Sequence, residues 1–279
     1  MKIQTAPTAD LTRLELKSSE FKKVSTLLYD YCGINMHEGK EALVRARLLK
    51  RIRKLGLGSF KEYFDYVESD NAGAEFLSLV DVLTTNKTSF FRESAHFDFI
   101  RKEVIPEIRD RHVTWWSAGC SSGEEPVSWA ITWLEERVAG HRGSARILAT
   151  DISSIVLNKA KAGIYPVEHI KGIPEYIRKR YFIKNPADPL TCRITDEVRS
   201  MIRYGRLNLK EQWPMKGPFH IIMCRNVMIY FDQPTQKKLI DRFVNMLEPG
   251  GYLFLGHSET ISGTHSGLKN VRPAVYRKK

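Results

Sequence analysis

Cysteine is scarce in this 279-residue chain, which holds four. The cysteines are scattered, at Cys32, Cys120, Cys192 and Cys224. They form no CxxC motif and have no metal-ligand spacing, so the sequence predicts no metal site. Reduced thiols are the simplest interpretation, and a cytoplasmic location is expected.

Long hydrophobic runs are also absent. No apolar stretch approaches the roughly 20 residues that a transmembrane helix needs. The N-terminal MKIQTAPTAD lacks the apolar core of a signal peptide. Hydrophobic residues make up 42% of the chain and charged residues 27%, which is typical of a soluble globular protein. The length suits one large domain or two modest ones.

Several recognition motifs are missing as well. No G-x-S-x-G elbow accompanies His257, Ser258 and Glu259, so we expect these residues to have structural rather than hydrolytic roles. No aromatic interleaving and no RNA-binding signature supports the binding of single-stranded nucleic acid.

Positive charge is what the chain has in excess, with a formal net charge of +12. This excess predicts an acidic partner, which is nucleic acid, an anionic membrane or an acidic protein surface. The densest run, KEALVRARLLKRIRK, lies in a helix predicted from Lys40 to Leu55. Arg45 falls near the apolar face of this helix, where it either extends to solvent or has a partner. The opposite face is either solvated or a binding surface for DNA, RNA or an acidic protein helix. Its candidate partner-binding residues are Arg47, Lys50, Arg51, Arg53 and Lys54.

The most informative stretch is VTWWSAGCSSGEEPV, residues 113–127. A buried strand over Val113–Trp116, a turn of small residues and a helical apolar run form a layout that brings a nucleotide near a helix start. Glu124 and Glu125 at that start would repel a pyrophosphate. They suit a ligand with hydroxyls and a positive charge, and S-adenosylmethionine fits. The alternative is an ordinary strand–helix turn with two acids favoured by the helix dipole.

Strands and helices alternate from Val113 onward, which predicts a mainly parallel, doubly wound sheet. Ligands in such sheets bind at the carboxyl ends of the strands. Three segments should meet there: Gly119–Glu125, Asp151 after the strand RILATD, and Arg225–Tyr230 after the strand HIIMC. Asp151 is at the position that typically accepts hydrogen bonds from ribose hydroxyls. We expect the chain to end in an edge strand around Ala274–Arg277.

Helical spacing dominates the residues before this region. Residues 1–17 are expected to be flexible. Helices are predicted from Ser18 to Gly33, over Lys40–Leu55, Phe60–Ser69 and Ala72–Leu83, and again over His96–Arg111. The polar segment TTNKTSFFRES joins them and holds Asn86, Thr88 and Arg92. It is either a capped linker or, given its two adjacent phenylalanines, a segment that folds over something.

The residues from Gly163 to about Tyr204 interrupt the alternation. Short β-like runs, of which Met201–Tyr204 is the last, surround NPADP, residues 185–189. They predict a small inserted β-subdomain, and the alternative is a long loop with helical turns. An insert of this length makes a contact with a partner plausible.

Six motifs together make the chain resemble the CheR family, the chemotaxis receptor glutamate O-methyltransferases. In order, they are TTNKTSFFRES, WWSAGCSSGEEP, ATDIS, GRLNL, FHIIMCRNVMIYFD and LEPGGYLFLGHSE. The resemblance runs from about residue 18 to the C-terminus. It implies an α/β fold, namely a Rossmann-like class I S-adenosylmethionine-dependent methyltransferase domain with an inserted small β-subdomain, preceded by an all-α N-terminal domain. The implied domains are helical over 18–84, a linker over 85–95, and the methyltransferase domain over 96–279 with its β-subdomain at about 163–204.

The resemblance also implies the chemistry and the site. S-adenosylmethionine is the methyl donor and S-adenosylhomocysteine the product. Arg92 and Tyr230 orient the substrate, and they are the implied catalytic residues. The implied cofactor contacts are Asn86, Thr88, Arg92, Glu125, Asp151, Asn208, Leu209, Arg225 and Asn226. The implied partner is the cytoplasmic domain of methyl-accepting chemotaxis receptors, through which a monomeric enzyme would reach the membrane, and the basic helix would face the methylation helices. One loop, KNPADPLT, departs from the glycine-containing loop with which some members bind a receptor pentapeptide.

Three other functions compete with this interpretation. A nucleic-acid methyltransferase is favoured by charge alone, because the acceptor motif D/N-P-P-Y/F is absent and CRNVMIY stands at the equivalent strand end. A non-catalytic adaptor would bind the cofactor as a signal and dock through the basic helix, although Arg92 and Tyr230 argue against it. A dehydrogenase is disfavoured by the two acids at the phosphate position. We therefore expect no nucleic-acid partner.

Overall fold

The computed structural model describes residues 14–71, 73–108, 111–140, 142–263 and 265–279. The chain divides into two compact units, one up to Thr85 and one from Asn86 onward. Most of the segment expected to be flexible, residues 1–13, lies outside the described residues, as does Ala72 at the start of one predicted helix. Among the helices described, none combines the length and the apolar character required to cross a bilayer.

The first unit is helical. Its described helices are α1 Ser18–Cys32, α2 Glu41–Leu55, α3 Phe60–Ser69 and α4 Ala74–Leu83. Gly33, with a φ of +78°, ends α1, because glycine adopts this left-handed conformation without steric cost. The hydroxyl of Ser59 caps α3 by accepting a hydrogen bond from the backbone of Glu62. The apolar stripes of the helices bury Val24, Leu28, Leu48, Ile52 and Leu79 completely. The four helices predicted from the sequence are confirmed.

The second unit contains all the strands described. In chain order they are β1 His112–Ala118, β2 Ser144–Asp151, β3 Ile164–Pro166, β4 Phe182–Lys184, β5 Thr191–Ile194, β6 Ile202–Arg206, β7 Phe219–Cys224, β8 Leu247–Leu255, β9 Leu268–Arg272 and β10 Val275–Lys278. Its described helices are α5 Ser94–Phe99, α6 Ile105–Ile108, α7 Glu124–Val138, α8 Ser154–Ala162, α9 Val167–Ile170, α10 Glu175–Tyr181, α11 Asp196–Ser200 and α12 Gln233–Met246. A π-helical stretch, Ile100–Val104, connects α5 to α6, and a 3₁₀ turn spans Met228–Tyr230.

Seven strands form the main sheet in the order β6-β2-β1-β7-β8-β10-β9. The first five are parallel, and β10 is antiparallel to both of its neighbours. The strand order reverses direction between β1 and β7, so a crevice opens there at the carboxyl ends of the strands. The mainly parallel, doubly wound sheet predicted from the sequence is confirmed.

Consecutive tryptophans on β1 show how both faces of the sheet are covered. Trp115 points to one face, where its ring centroid lies 5.9 Å from that of Trp129 on α7. Trp116 points to the other face and packs 5.2 Å from Phe243 on α12. Side chains alternate along a strand, so two adjacent tryptophans require a helix layer on each side.

The sequence misplaced β6. Met201–Tyr204 was expected in the inserted subdomain, but Ile202–Arg206 pairs in parallel with β2 in the main sheet. The inserted sheet is smaller, antiparallel, and ordered β3-β5-β4. A short β-like run predicts a strand but does not contain the information about which sheet it joins.

The C-terminal end of the sheet also differs from expectation. β10, Val275–Lys278, is not the edge strand, because β9, Leu268–Arg272, pairs along its outer side. The sequence of β9, LKNVR, is mostly exposed and polar and lacks the alternation that signals a strand.

Candidate active site

The turn after β1 is held to two other strand ends. The backbone N–H groups of Gly119 and Cys120 donate to the carbonyl of Thr150, at the end of β2, at 2.8 and 2.9 Å. Gly119 has a φ of +90°, and a Cβ there would lie 2.4 Å from Cγ2 of Val227, which follows β7. Glycine is therefore required for both conformation and space, and the turn closes the crevice between β1, β2 and β7.

Asp151 fastens this turn from the end of β2. Its carboxylate accepts hydrogen bonds from the backbone N–H of Ser121 at 2.8 Å and of Ser153 at 2.9 Å. Asp151 is buried, and it lies within the predicted site as expected for a strand-end acid. These bonds give it a structural role in addition to any contact with a ligand.

Arg225, at the end of β7, links three segments. Its guanidinium donates from Nη1 to Glu125 at 3.0 Å and from Nη2 to Glu93 at 3.0 Å, and it also contacts the carbonyl of Arg92. The side chain is only 2% exposed, so these interactions are desolvated. Ser117 donates to the remaining oxygen of Glu125 at 2.7 Å. Arg225, expected as a cofactor contact, thus has a guanidinium engaged by the protein itself.

The pKa values of Glu125 and Glu93 are shifted in opposite directions, although both carboxylates pair with Arg225. Burial raises the pKa of Glu125, and Arg225 offsets only part of that effect. Burial also acts to raise the pKa of Glu93, but the charge and hydrogen bond of Arg225, with a hydrogen bond from Asn226, outweigh it and lower the pKa. Two carboxylates share one guanidinium, so with both ionised the cluster has one uncompensated negative charge, which fits a cationic ligand.

A buried carboxylate, Glu259, holds the segment after β7. It accepts hydrogen bonds from the backbone N–H groups of Gly256 at 2.5 Å, Asn226 at 2.8 Å and Ile229 at 3.2 Å. Asn226 has a φ of +57°, a conformation uncommon for residues other than glycine. Burial raises the pKa of Glu259. Glu259 therefore fixes the backbone that presents Asn226 and the 3₁₀ turn, consistent with the structural role expected of it.

The segment from Asn86 to Arg92 folds over the turn. The carbonyl of Asn86 accepts a hydrogen bond from Ser121 at 2.9 Å, and the backbone N–H of Phe91 donates to Ser128 at 3.0 Å. Phe90 is buried, with its ring 4.9 Å from that of Tyr165. The adjacent phenylalanines thus pack within the second unit, Phe90 on Tyr165 and Phe91 on Phe97, which favours the interpretation as a covering segment over that of a plain linker.

Most predicted site residues meet at this crevice. Arg225 donates to Glu125, to the carbonyl of Arg92 and to Glu93, and Glu93 also accepts a hydrogen bond from Asn226. Asn86 and Asp151 both contact Ser121. The segment with Asn208 and Leu209 begins where the backbone N–H of Leu207 donates to the carbonyl of Asp151 at 3.0 Å.

Three predicted residues have other local arrangements. The side chain of Asn208 hydrogen-bonds to its own segment, at the backbone of Lys210 and the carboxylate of Glu211. The half-buried Thr88 and Tyr230 form no side-chain bond with another site residue in the described chain. Glu93 is a site residue that sequence reasoning missed, although its place directly after Arg92 in FFRE was a usable signal.

The predicted partner-binding residues divide into two groups. Arg51 forms a bidentate ion pair with the buried Glu75 of α4, which raises the pKa of Arg51, and Arg47 donates to the carbonyls of Leu83 at 2.6 Å and Thr84 at 3.0 Å. These contacts tie α2 to α4 and disfavour Arg47 and Arg51 as partner contacts. The second group, Lys50, Arg53 and Lys54, is exposed.

Arg45 has the partner that its position on the helix required. Its Nε donates to the carbonyl of Leu14 at 2.6 Å. Of the two possibilities open at the sequence level, extension to solvent or a partner, the described contact supports the partner.

Comparison with known proteins gives a consistent result over both units. Residues 19–84 match the all-alpha domain of CheR methyltransferases, and residues 86–276 match their SAM binding domain. The chain is 42% identical to a probable chemotaxis protein methyltransferase of Rhizobium etli, over 90% of this chain and 96% of that protein. It is 40% identical to the chemotaxis protein methyltransferase of Escherichia coli, over 90% and 87%. The similar protein of Borreliella burgdorferi is 36% identical over 95% and 96%.

These matches span nearly the whole chain, and the crevice has a glycine turn and two carboxylates on one guanidinium, which suit a cationic nucleoside cofactor. The chain belongs to the CheR methyltransferase family and is an S-adenosylmethionine-dependent methyltransferase.

Proposed function

We propose that the protein methylates glutamate side chains of chemotaxis receptors, forming glutamate methyl esters during adaptation. The supporting observation is the small number of contacts that the protein makes to the guanidinium of Arg92. In the described chain, its guanidinium makes one hydrogen bond, from Nη1 to the carbonyl of Lys87 at 3.0 Å, and no ion pair with a carboxylate. The remaining N–H groups are available to a substrate carboxylate, which a guanidinium binds in bidentate fashion.

A carboxylate acceptor needs no general base. A glutamate has a pKa of about 4.3, so its side chain is ionised and nucleophilic at neutral pH. Its oxygen would form a bond to the methyl carbon of a bound donor while the carbon–sulfur bond breaks and its electron pair goes to sulfur. When bound, S-adenosylmethionine supplies an electrophilic methyl group whose leaving group is the neutral thioether of S-adenosylhomocysteine.

The residues of this chain would supply position and exclude water. Arg92 and Tyr230 hold the acceptor carboxylate in line with the methyl group in this proposal. Glu125 would lie near the positive part of a bound cofactor, and Asp151 near its ribose. Glu93 and Arg225 fix the backbone of Arg92, because Arg225 bridges the Arg92 carbonyl and the Glu93 carboxylate.

The exposed residues Lys50, Arg53 and Lys54 on α2 would contact the partner. They suit acidic helices in the cytoplasmic domain of a receptor, where charge complementarity accelerates encounter. The enzyme would act in the cytoplasm as a monomer and reach the membrane only through the receptor. The relatives' names support a chemotaxis protein as substrate.

A receptor fragment with defined acceptors tests this proposal. The full chain is incubated with methyl-labelled S-adenosylmethionine and a soluble receptor cytoplasmic fragment, with duplex DNA as a parallel substrate. We expect label in the fragment, and none after its methylation-region glutamates are replaced by alanine. Label that persists in the alanine fragment, or that enters DNA, would contradict the assignment.

A further inference from the structure

A buried histidine beside the carboxylate network lacks the hydrogen bonds that its ring requires. His96 lies in α5 and is 2% exposed. Neither ring nitrogen meets hydrogen-bond geometry with a described group, although the backbone of Pro273 lies close enough to favour the protonated ring. A buried imidazole whose ring nitrogens have no described hydrogen-bond partner is a potential metal ligand.

Glu93 and His257 each place a possible metal-ligand atom near this ring. Oε2 of Glu93 lies 3.6 Å from Nδ1 of His96 and 4.0 Å from Nε2 of His257. One ligand atom from each of the three residues lies within 4.8 Å of the others. The imidazole rings are 4.7 Å apart, at 83° to each other. His257 follows β8 and is 47% exposed, so it has room to adjust and the cluster is open to solvent.

The charges around Glu93, His96 and His257 allow a cation to bind there. Arg225 is shared by Glu93 and Glu125, which leaves one negative charge in excess when both carboxylates are ionised. Glu93 is already oriented by Arg225 on one oxygen and by Asn226 on the other. Metal-binding carboxylates commonly receive such hydrogen bonds from a second shell, so the support for a ligand exists before any metal binds.

We propose that Glu93, His96 and His257 form a binding site for a divalent transition-metal ion, with Zn²⁺ the preferred occupant, and that the ion inhibits the enzyme. Two imidazoles and one carboxylate favour Zn²⁺ over Mg²⁺ or Ca²⁺, which prefer sets of oxygen ligands. Zinc–nitrogen bonds are about 2.0–2.1 Å long, which puts neighbouring tetrahedral ligands about 3.4 Å apart. The ligand atoms now lie within 4.8 Å of one another, so His257 and Glu93 must shorten these separations by up to about 1.4 Å to close the site. The sequence predicted no metal site because Glu93 and His96 are close in the chain but His257 is far from both.

Inhibition follows from the shared carboxylate. A metal ion on Glu93 withdraws negative charge from Arg225, which also orients Glu125 and the backbone of Arg92. Zinc binding should therefore weaken the binding of S-adenosylmethionine, and the cofactor must weaken zinc binding by the same factor.

The experiment compares two histidine variants of the full chain after treatment with a chelator. Zn²⁺ is titrated in competition with a chromophoric chelator, and Co²⁺ serves as a spectroscopic probe of imidazole ligation. The test variant is His257→Ala, because His257 is exposed and its replacement should not affect folding, which thermal unfolding verifies. The control is His37→Ala, an exposed histidine of the first unit.

We expect one equivalent of Zn²⁺ to bind to the wild type and to the control, and binding more than about tenfold weaker in His257→Ala. Saturating Zn²⁺ should lower the affinity for S-adenosylmethionine in the wild type and not in His257→Ala. Equal zinc affinities in His257→Ala and wild type, or no zinc binding by the wild type, would refute the site. Unchanged cofactor affinity with zinc bound would refute the inhibition. Neither readout requires a receptor, so the result is independent of the proposed substrate.

Discussion

Nη1 of Arg225 lies 3.0 Å from Oε2 of Glu125, and 100 residues of sequence separate the two partners. This ion pair joins the end of β7 to the start of α7 across the crevice. Because Arg225 also pairs with Glu93, its single charge neutralises only part of the negative charge of the site. The net charge of the crevice therefore depends on the ionisation of Glu125, whereas the glycine turn determines its shape.

Glu125→Gln should distinguish the charged cofactor from its product. The variant keeps the shape of the side chain but removes its charge near the proposed position of the sulfonium. We expect S-adenosylmethionine to bind roughly 1–3 kcal/mol more weakly, and S-adenosylhomocysteine, whose sulfur is neutral, to lose less affinity. Isothermal titration with both ligands measures the difference. The matched control is the exposed Glu168→Gln, and equal losses for both ligands in Glu125→Gln would contradict the proposed placement.

Arg92→Ala should reduce turnover far more than cofactor binding. The proposed role of Arg92 is to orient the acceptor through charge-assisted hydrogen bonds, whose loss is worth about 1.5–3 kcal/mol, or about a tenfold to hundredfold lower kcat/KM. Steady-state methylation of a receptor fragment and the Kd for S-adenosylmethionine are measured side by side. Lys87→Ala, an exposed neighbour, provides the control. Equal losses of turnover and cofactor affinity would make Arg92 a cofactor ligand only.

His96 should make stability depend on pH. Its folded-state pKa of about 4 lies below the ordinary 6.5, so the unfolded chain binds more protons between these values. Stability should thus be fully present above pH 6.5 and be lost as the pH falls towards 4. From pH 7 to pH 5 this one group should cost about 2 kcal/mol. Urea unfolding of metal-free wild type and His96→Phe at both pH values measures the difference, and an identical pH dependence in the two proteins would contradict the assignment.

Charge removal on α2 should separate folding from recognition. Arg51→Ala leaves Glu75 buried without its cation, so we expect the first unit to lose about 3–5 kcal/mol of unfolding free energy. Arg53→Ala with Lys54→Ala, on the exposed face, should change stability by no more than about 0.5 kcal/mol but raise the KM for a receptor fragment in a salt-dependent way. Denaturant unfolding and kinetics at two ionic strengths test both parts. A KM unchanged in the double variant would exclude this face as the receptor contact.

Local patterns predicted much of the fold and part of the site. The strand, glycine turn and helix around Gly119 and the acid Asp151 at a strand end were predictable because each depends on neighbouring residues and on a general rule for parallel sheets. The pairing of Glu93 with Arg225 was not, because 132 residues separate them and a charged residue does not specify its partner.

The same limit explains the errors in the helical unit and the sheet. The periodicity of α2 placed Arg47 and Arg51 on a polar face, but only the packing of α4 shows that this face is partly internal. The β-like run at Ile202 was visible, whereas its pairing with Ile147 depends on the closure of the whole sheet. Sequence patterns thus predicted elements more reliably than their partners.

The chemical stability of the transferred methyl group tests the central claim most directly. Receptor-containing membranes are labelled by the full chain with methyl-labelled S-adenosylmethionine, and the washed product is exposed to mild base. A carboxyl methyl ester hydrolyses under these conditions, so the account predicts that the label is released as methanol. Label that remains on protein or nucleic acid after base would show methylation at nitrogen or carbon and would contradict the assignment of glutamate as the acceptor.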